Sequence, residues 1–381
     1  MPTPRIVGYL GMEWSKTELW KHRWLGAGLA LVFTFSQFPE AVEQYYSTGF
    51  YPYWGKFLRL LLGWCPFSIG DAIYVFAIGY GIVIIFKFLY IGFRYKKWPA
   101  FGKVLLKLAV YLAWVYIVFK ISWGFNYDRP EIGQSLKITP SAYTLPELKS
   151  LNNQLIQRLN DARAQIPGDS LPEISWKEQK ELAYEGYQQL AAKNPAFTYS
   201  FPSLKKCSWN FLGEWIGFTG YFNPFSGEAQ IKADLPSILL PYTTCHEIGH
   251  QIGFARESEA SFAGLLAASA SKDKRMKYSL YLDLYSLMQQ ELWRQYAATG
   301  DSTGLRQQFD SNRQRLDTLV KLDRKAIRRY FQQRTHQITP AFTQVYTQYL
   351  KANGQASGML SYSEVLGWLL AYQKKYGENS W

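Results

Sequence analysis

His246, Glu247, Ile248, Gly249 and His250 form the string HEIGH. The chain has only 4 histidines, and two of them stand four positions apart here. Residues four apart share one face of a helix, so both imidazoles can reach a single cation. Glu247, beside the first of them, is close enough to hold a water molecule and take its proton. Two neutral imidazoles and an adjacent carboxylate are the working parts of zinc-assisted hydrolysis. A plainer explanation competes. Thr244 and Glu247 fit a capping box, S/T-x-x-E, which would give the glutamate a purely structural task. Chance alone produces such a string in roughly two of every thousand chains of this length and composition.

Catalytic zinc takes three protein ligands and keeps one position open. Gly253 is expected to end the histidine helix as a left-handed glycine. The following ESEASFAGLLAASA reads as a new helix led by carboxylates, which helix starts favour. Glu257 and Glu259 are therefore candidates for the third ligand, and His336 is another. Cys245 abuts His246 but reads as a small buried residue. With Cys65 and Cys207 it makes three widely separated cysteines, which is no disulfide framework.

HEIGH followed by ESEAS resembles the zinc site of the gluzincins, a branch of the zincin metallopeptidases, whose pattern is HExxH…E-x-x-A-D/N. The chain as a whole is similar to the bacterial membrane family called domain of unknown function 3810. Its members join N-terminal transmembrane helices to a segment close to HEIGHQIGFARESEASF. The resemblance implies a Zn2+ site held by His246, His250 and a glutamate, with Glu247 as general base and a peptide as substrate. It favours Glu257 as the third ligand, with Glu259 as the alternative. Glu257 has Ala260 and Ser261 three and four positions on, where Glu259 has Phe262 and Ala263. A small Ala260 also lets the two helices approach, and Ser261 can hydrogen-bond a ligand histidine, as residues behind a metal site commonly do. Glu259 is expected to face solvent or cap its helix. This chain departs from the gluzincin pattern in the short gap after His250 and in Ser261, where Asp or Asn is usual. His336 and Tyr362 are candidates to stabilise the transition state. The hairpin Gly220 to Ile231 is a candidate edge strand for pairing with an extended peptide.

The elements that must position these residues begin in three apolar runs. They cover about 24–38, 69–93 and 104–125, against the roughly 20 residues that a bilayer core requires. Lysine and arginine gather before the first run and between the second and third, which places those segments in the cytoplasm. The expected fold is an α-helical membrane region of three transmembrane helices over 1–127. A mainly α, zincin-like α+β extracytoplasmic domain over 128–381 follows. On this topology His22 is on the wrong side to serve as a ligand. Residues from Asp128 onward read as a polar linker. Cys207 to Ala233 reads as strands and a hairpin, and the remainder as helices. The formal charge of +13 sits largely on membrane flanks and solvated helix faces, so nucleic acid is not an expected partner. The expected location is the bacterial inner membrane, with the N-terminus inside. Two functions compete: a zinc metallopeptidase, and a non-catalytic binding or assembly protein whose zinc site is structural or vestigial.

Overall fold

The computed structural model describes residues 6–7, 13–14, 16–95, 101–140, 142–334, 339–352 and 364–381. His336 and Tyr362 lie outside the described residues. Helices dominate. Two of them, Ile69–Tyr95 and Phe101–Ser122, contain stretches long and apolar enough to cross a membrane, Ile69–Lys87 and Leu105–Ser122. Their large apolar side chains, Phe76, Phe86 and Trp114 among them, are exposed, as side chains facing lipid are. These helices are consistent with a membrane protein.

The first apolar run behaves differently from the expected straight span. Its helix, Lys16–Ser36, stops before Phe38-Pro39, because the residue before a proline is driven out of the helical region. The chain then resumes at right angles. Arg23–Ser36 and Pro39–Leu62 meet at 97°. The second arm includes a π-helical stretch, Val42–Phe50, and an α-helix, Tyr51–Leu62. If the bent pair is one crossing, the candidate spans number three.

The rest of the chain packs round one large core. Helices Leu145–Ala164, Trp176–Lys193, Leu240–Gln251, Glu257–Ala270, Lys274–Thr299 and Glu364–Tyr376 supply most of it. Leu145–Ala164 and Trp176–Lys193 each open on a capping box, Thr144 with Glu147 and Ser175 with Glu178. The segment after Asp128 is not a solvated linker. Ile132, Leu136 and Ile138 are buried in the same core, and Ile132–Leu136 forms a short helix.

A three-stranded sheet lies beside the histidine helix. Leu204–Lys206 runs parallel to the middle strand Glu228–Ile231, and Gly220–Asn223 runs antiparallel to it. The hairpin read from the sequence is present. The expected strand before it is not: Asn210–Ile216 is a helix, closed by Gly217 at φ 88°. Its density of aromatics and glycines hides the helical period.

The loop between the bent pair and Ile69 is clamped by this sheet. Lys205 Nζ donates to the carbonyls of Gly63 and Cys65 at the end of one helix. On the neighbouring strand, the Glu228 carboxylate accepts from the Gly70 N–H (2.7 Å) at the start of the next. A cation at a helix C-terminus and an anion at an N-terminus both match the helix dipole. The sheet therefore fixes where the Ile69 helix begins.

Candidate metal centre

Histidine helix Leu240–Gln251 begins four residues before Thr244, so Thr244 is not a cap. Its hydroxyl instead accepts from Gln179 Nε2 at 2.5 Å. Glu247 thus has no capping role. The helix ends as expected at Gly253, φ 100°. Gly253 N–H donates to the His250 carbonyl (3.0 Å) and Phe254 N–H to the Gly249 carbonyl (3.1 Å). These are the two bonds of a Schellman motif. The motif has a second consequence. It turns the Phe254 carbonyl back onto His250, where it accepts from Nδ1 at 2.8 Å. His250 Nε2 is thereby left as the metal-competent nitrogen.

Helix Glu257–Ala270 crosses the histidine helix at backbone contact. A Cβ on Gly249 would lie 2.9 Å from the Ala260 carbonyl oxygen, and one on Gly264 would lie 2.9 Å from His246 N. Two glycines and Ala260 permit this approach. Gly264→Ala forces the helices apart and should cost about 1–3 kcal/mol through overpacking. Thermal unfolding of the detergent-solubilised chain would measure it, and an unchanged Tm would show that the crossing tolerates separation.

At the crossing, Glu257 Oε2 lies 3.2 Å from His246 Nε2 and 3.5 Å from His250 Nε2. One ligand atom from each of the three lies within 4.8 Å of the others, close enough to hold a metal ion. His246 Nδ1 is 3.0 Å from Ser261 Oγ, the contact expected of Ser261. Both imidazoles are therefore held from behind, and both present Nε2 to the same carboxylate. Burial works to raise the Glu257 carboxyl, but His250 and His246 more than cancel this and hold it well below the usual range. Burial likewise opposes charge on His250, yet Glu257 and Glu247 draw its pKa up to about 9.

Glu259 is elsewhere. It neither faces solvent nor caps its helix. It is 1% exposed and accepts from Ile132 N–H (3.0 Å) and Arg256 Nη1 (3.2 Å). The segment after Asp128 supplies Ile132, so Glu259 is buried because that segment packs into the core and is not a solvated linker. Cys245 is fully buried in the core and is not part of the cluster.

Glu247 is buried, and its Oε2 has no hydrogen-bond partner among the described residues. Burial pushes its carboxyl up to about 7, with His246 and His250 pulling the other way. Against it stands Gly220 of the edge strand. A Cβ there would lie 2.8 Å from Glu247 Oε1 and 3.0 Å from the Gln230 carbonyl oxygen, so a larger residue would displace the Glu247 carboxylate or the strand. Lys232 N–H bonds the Thr219 carbonyl, and the register pairs Tyr221 with Gln230. Antiparallel pairs alternate, so the backbone N–H and C=O of Gly220 and Phe222 point away from the middle strand, toward the open edge.

Several residues near the site carry no sequence signal as site residues. The carbonyls at the end of the histidine helix are capped from the membrane side. Trp123 Nε1 donates to His250 O (3.1 Å). Tyr51 Oη (2.9 Å) and Arg59 Nη1 (3.1 Å) donate to Gln251 O, and Arg129 Nη1 (3.2 Å) to Gly253 O. Arg59 is buried although it is charged. Asp283, half-buried near His246, is also a new member of the surroundings. Burial raises its pKa to about 6 while His246 lowers it. A lone acid inside the apolar run YSLYLDLYSL was the available signal.

No curated protein and no solved structure matches the chain. A family model does, over residues 46–370, from within the bent arm to the last helix, and its description is protein of unknown function (DUF3810). The matched region contains the candidate spans Ile69–Lys87 and Leu105–Ser122, the sheet and the histidine cluster, and the chain belongs to that family.

Proposed function

We propose that the protein is a membrane-anchored, zinc-dependent peptidase acting outside the cytoplasm. One observation carries the reading. Beside three converging metal donors lies a buried carboxylate, Glu247, with one oxygen unpartnered among the described residues. An unpaired buried carboxylate oxygen is costly. Among the described residues Glu259 Oε2 is unpartnered too, but its other oxygen is held by Ile132 and Arg256 away from the cluster, whereas Glu247 stands beside the donors, where a merely structural metal site has no use for it. Zinc held by His246, His250 and Glu257 would supply a Lewis acid for the peptide carbonyl and acidify the attacking water. Glu247 then takes the water's proton and delivers it to the leaving amine. The open edge at Gly220 and Phe222 aligns an extended peptide across Glu247 by adding a strand to the sheet. Ser261 and the Phe254 carbonyl hold the histidine rings in place meanwhile.

Metal analysis of the full chain tests the site. About one zinc per chain is expected, lost in His246→Ala. Zinc without hydrolysis of any peptide would favour the binding-protein reading.

A topology goes with this proposal: N-terminus in the cytoplasm, three spans, and residues 128–381 on the periplasmic side of a bacterial inner membrane. It is supported by which helix ends touch the histidine region. Ser36, at the end of the first helix, donates to Asp128 (2.8 Å). The start of the Ile69 helix is clamped by Glu228, and the end of the Phe101 helix leads into Trp123. All three ends thus contact the region that follows residue 122, as a single side for them requires. A reporter active only outside the cytoplasm should work at Trp381 and stay silent at Arg94. The opposite pattern would overturn the orientation.

A further inference from the structure

The helix Tyr51–Leu62 has two chemically distinct faces. Tyr51, Gly55, Leu58 and Arg59 are buried, and Tyr51 and Arg59 hold the Gln251 carbonyl at the end of the histidine helix. About half a turn away, Tyr53, Phe57, Leu60 and Leu61 form a stripe at i, i+4, i+7 and i+8, and Trp64 follows in the turn after the helix. All five are exposed, Tyr53 by 76% and Trp64 by 81%. An apolar, aromatic-rich stripe of this size marks an interaction surface. The geometry says what covers it. This arm meets the first helix at 97°, and the chain re-enters a candidate span at Ile69. On the proposed topology Lys16–Ser36 is the first crossing, and a helix perpendicular to it, with tyrosine and tryptophan on its apolar face, lies in the plane of the membrane interface.

We infer that Pro39–Leu62 is an interfacial helix, with lipid on its Tyr53–Trp64 stripe and the metal centre on the other side, so that Lys16–Ser36 makes the first crossing without it. Resting on the peptidase reading above, this assigns the substrate class: polypeptides anchored in the same membrane, cut close to the anchor. The histidine helix stands on the buried face, so the centre is raised above the lipid by about one helix diameter, roughly 10 Å. A chain emerging from the bilayer meets the open edge strand within a few residues of its anchor. A dissolved chain gains nothing from the anchor, whereas a tethered one is presented at high effective concentration. The reaction is hydrolysis. Water adds across the C–N bond to give a carboxylate and an amine, and no other reactant is required.

Two measurements on the full chain in liposomes test this. The first uses spin labels on Tyr53→Cys, Phe57→Cys and Leu61→Cys, with Lys177→Cys as the aqueous reference. The native cysteines are buried and do not compete for label. The three sites should show similar depth, high oxygen contact and little contact with a water-soluble nickel chelate. Progressively increasing depth, or nickel contact equal to that at Lys177→Cys, would overturn the interfacial placement. The second measurement offers one peptide sequence in three forms to the zinc-loaded chain. The peptide is joined to a transmembrane anchor by about five or about thirty flexible residues, or left free. The short tether should be cut at least about tenfold faster than the free peptide at equal bulk concentration. Equal rates for all three would overturn the substrate class alone. Cleavage of none would overturn it together with the peptidase reading, and the spin labels would still decide the placement.

Discussion

Glu247→Gln should keep its zinc and lose peptide hydrolysis by about a hundred- to ten-thousandfold, the range that a positioned general base contributes. Glutamine nearly matches the shape of glutamate but cannot accept the proton. The three donors do not depend on it. His246 Nδ1 is held by Ser261, His250 Nδ1 by the Phe254 carbonyl, and Glu257 stands on another helix. Fold and metal content therefore survive the change. The substitution also removes a buried carboxylate with an unpartnered oxygen, so it should not lower Tm. Zinc content, Tm and turnover of a peptide library by wild type and variant are the three measurements. Equal turnover would remove Glu247 from the mechanism. A fall in zinc content along with activity would make it a determinant of metal binding instead.

What was legible in the sequence is local. HEIGH, the terminating Gly253 and the acidic start at Glu257 lie within twelve positions, and helix geometry plus one left-handed glycine nearly determine their arrangement. Ala260 was legible as a close-packing residue for the same reason. The bend before Pro39 had its signal in the proline, but the 97° angle did not. The partners that complete the site were not legible. Trp123 reaches His250 across 127 positions and Tyr51 reaches Gln251 across 200, and no periodicity encodes such a pairing. Nothing in the composition marks Arg59 or Arg129, because a cation that caps a distant helix reads the same in sequence as one that faces solvent. Gly220 was legible only as the start of the hairpin. What a side chain there would meet is Glu247, on an element that begins some twenty residues later.

Glu257 and Glu259 separate the metal site from its scaffold, and their alanine variants should fail in different ways. Glu257→Ala should lower zinc affinity by more than about a hundredfold, beyond what loss of a residue behind a ligand costs. Its Oε2 lies 3.2 and 3.5 Å from the two histidine nitrogens, and no other carboxylate among the described residues joins that group. Glu259→Ala should keep zinc and lose stability. It leaves the buried Ile132 N–H without its acceptor and removes one carboxylate from the Arg256 guanidinium, which keeps the Tyr127 and Arg129 carbonyls, a cost of about 1–3 kcal/mol. Burial raises the Glu259 carboxyl while Arg256 and Arg129 oppose it, as befits a buried acid held by cations rather than by a metal. Zinc titration against a competing chelator and thermal unfolding, run on both variants, give four numbers. Loss of zinc in Glu259→Ala with retention in Glu257→Ala would exchange their roles. Equal zinc loss in both, with equal loss of Tm, would mean that the Glu257–Ala270 helix acts as one unit and that neither carboxylate is a ligand in its own right. The expected crossed pattern, affinity lost in one and stability in the other, follows from where the two side chains point. Glu257 turns at the head of its helix toward the histidines. Glu259, two residues on, turns to the segment that enters from the membrane.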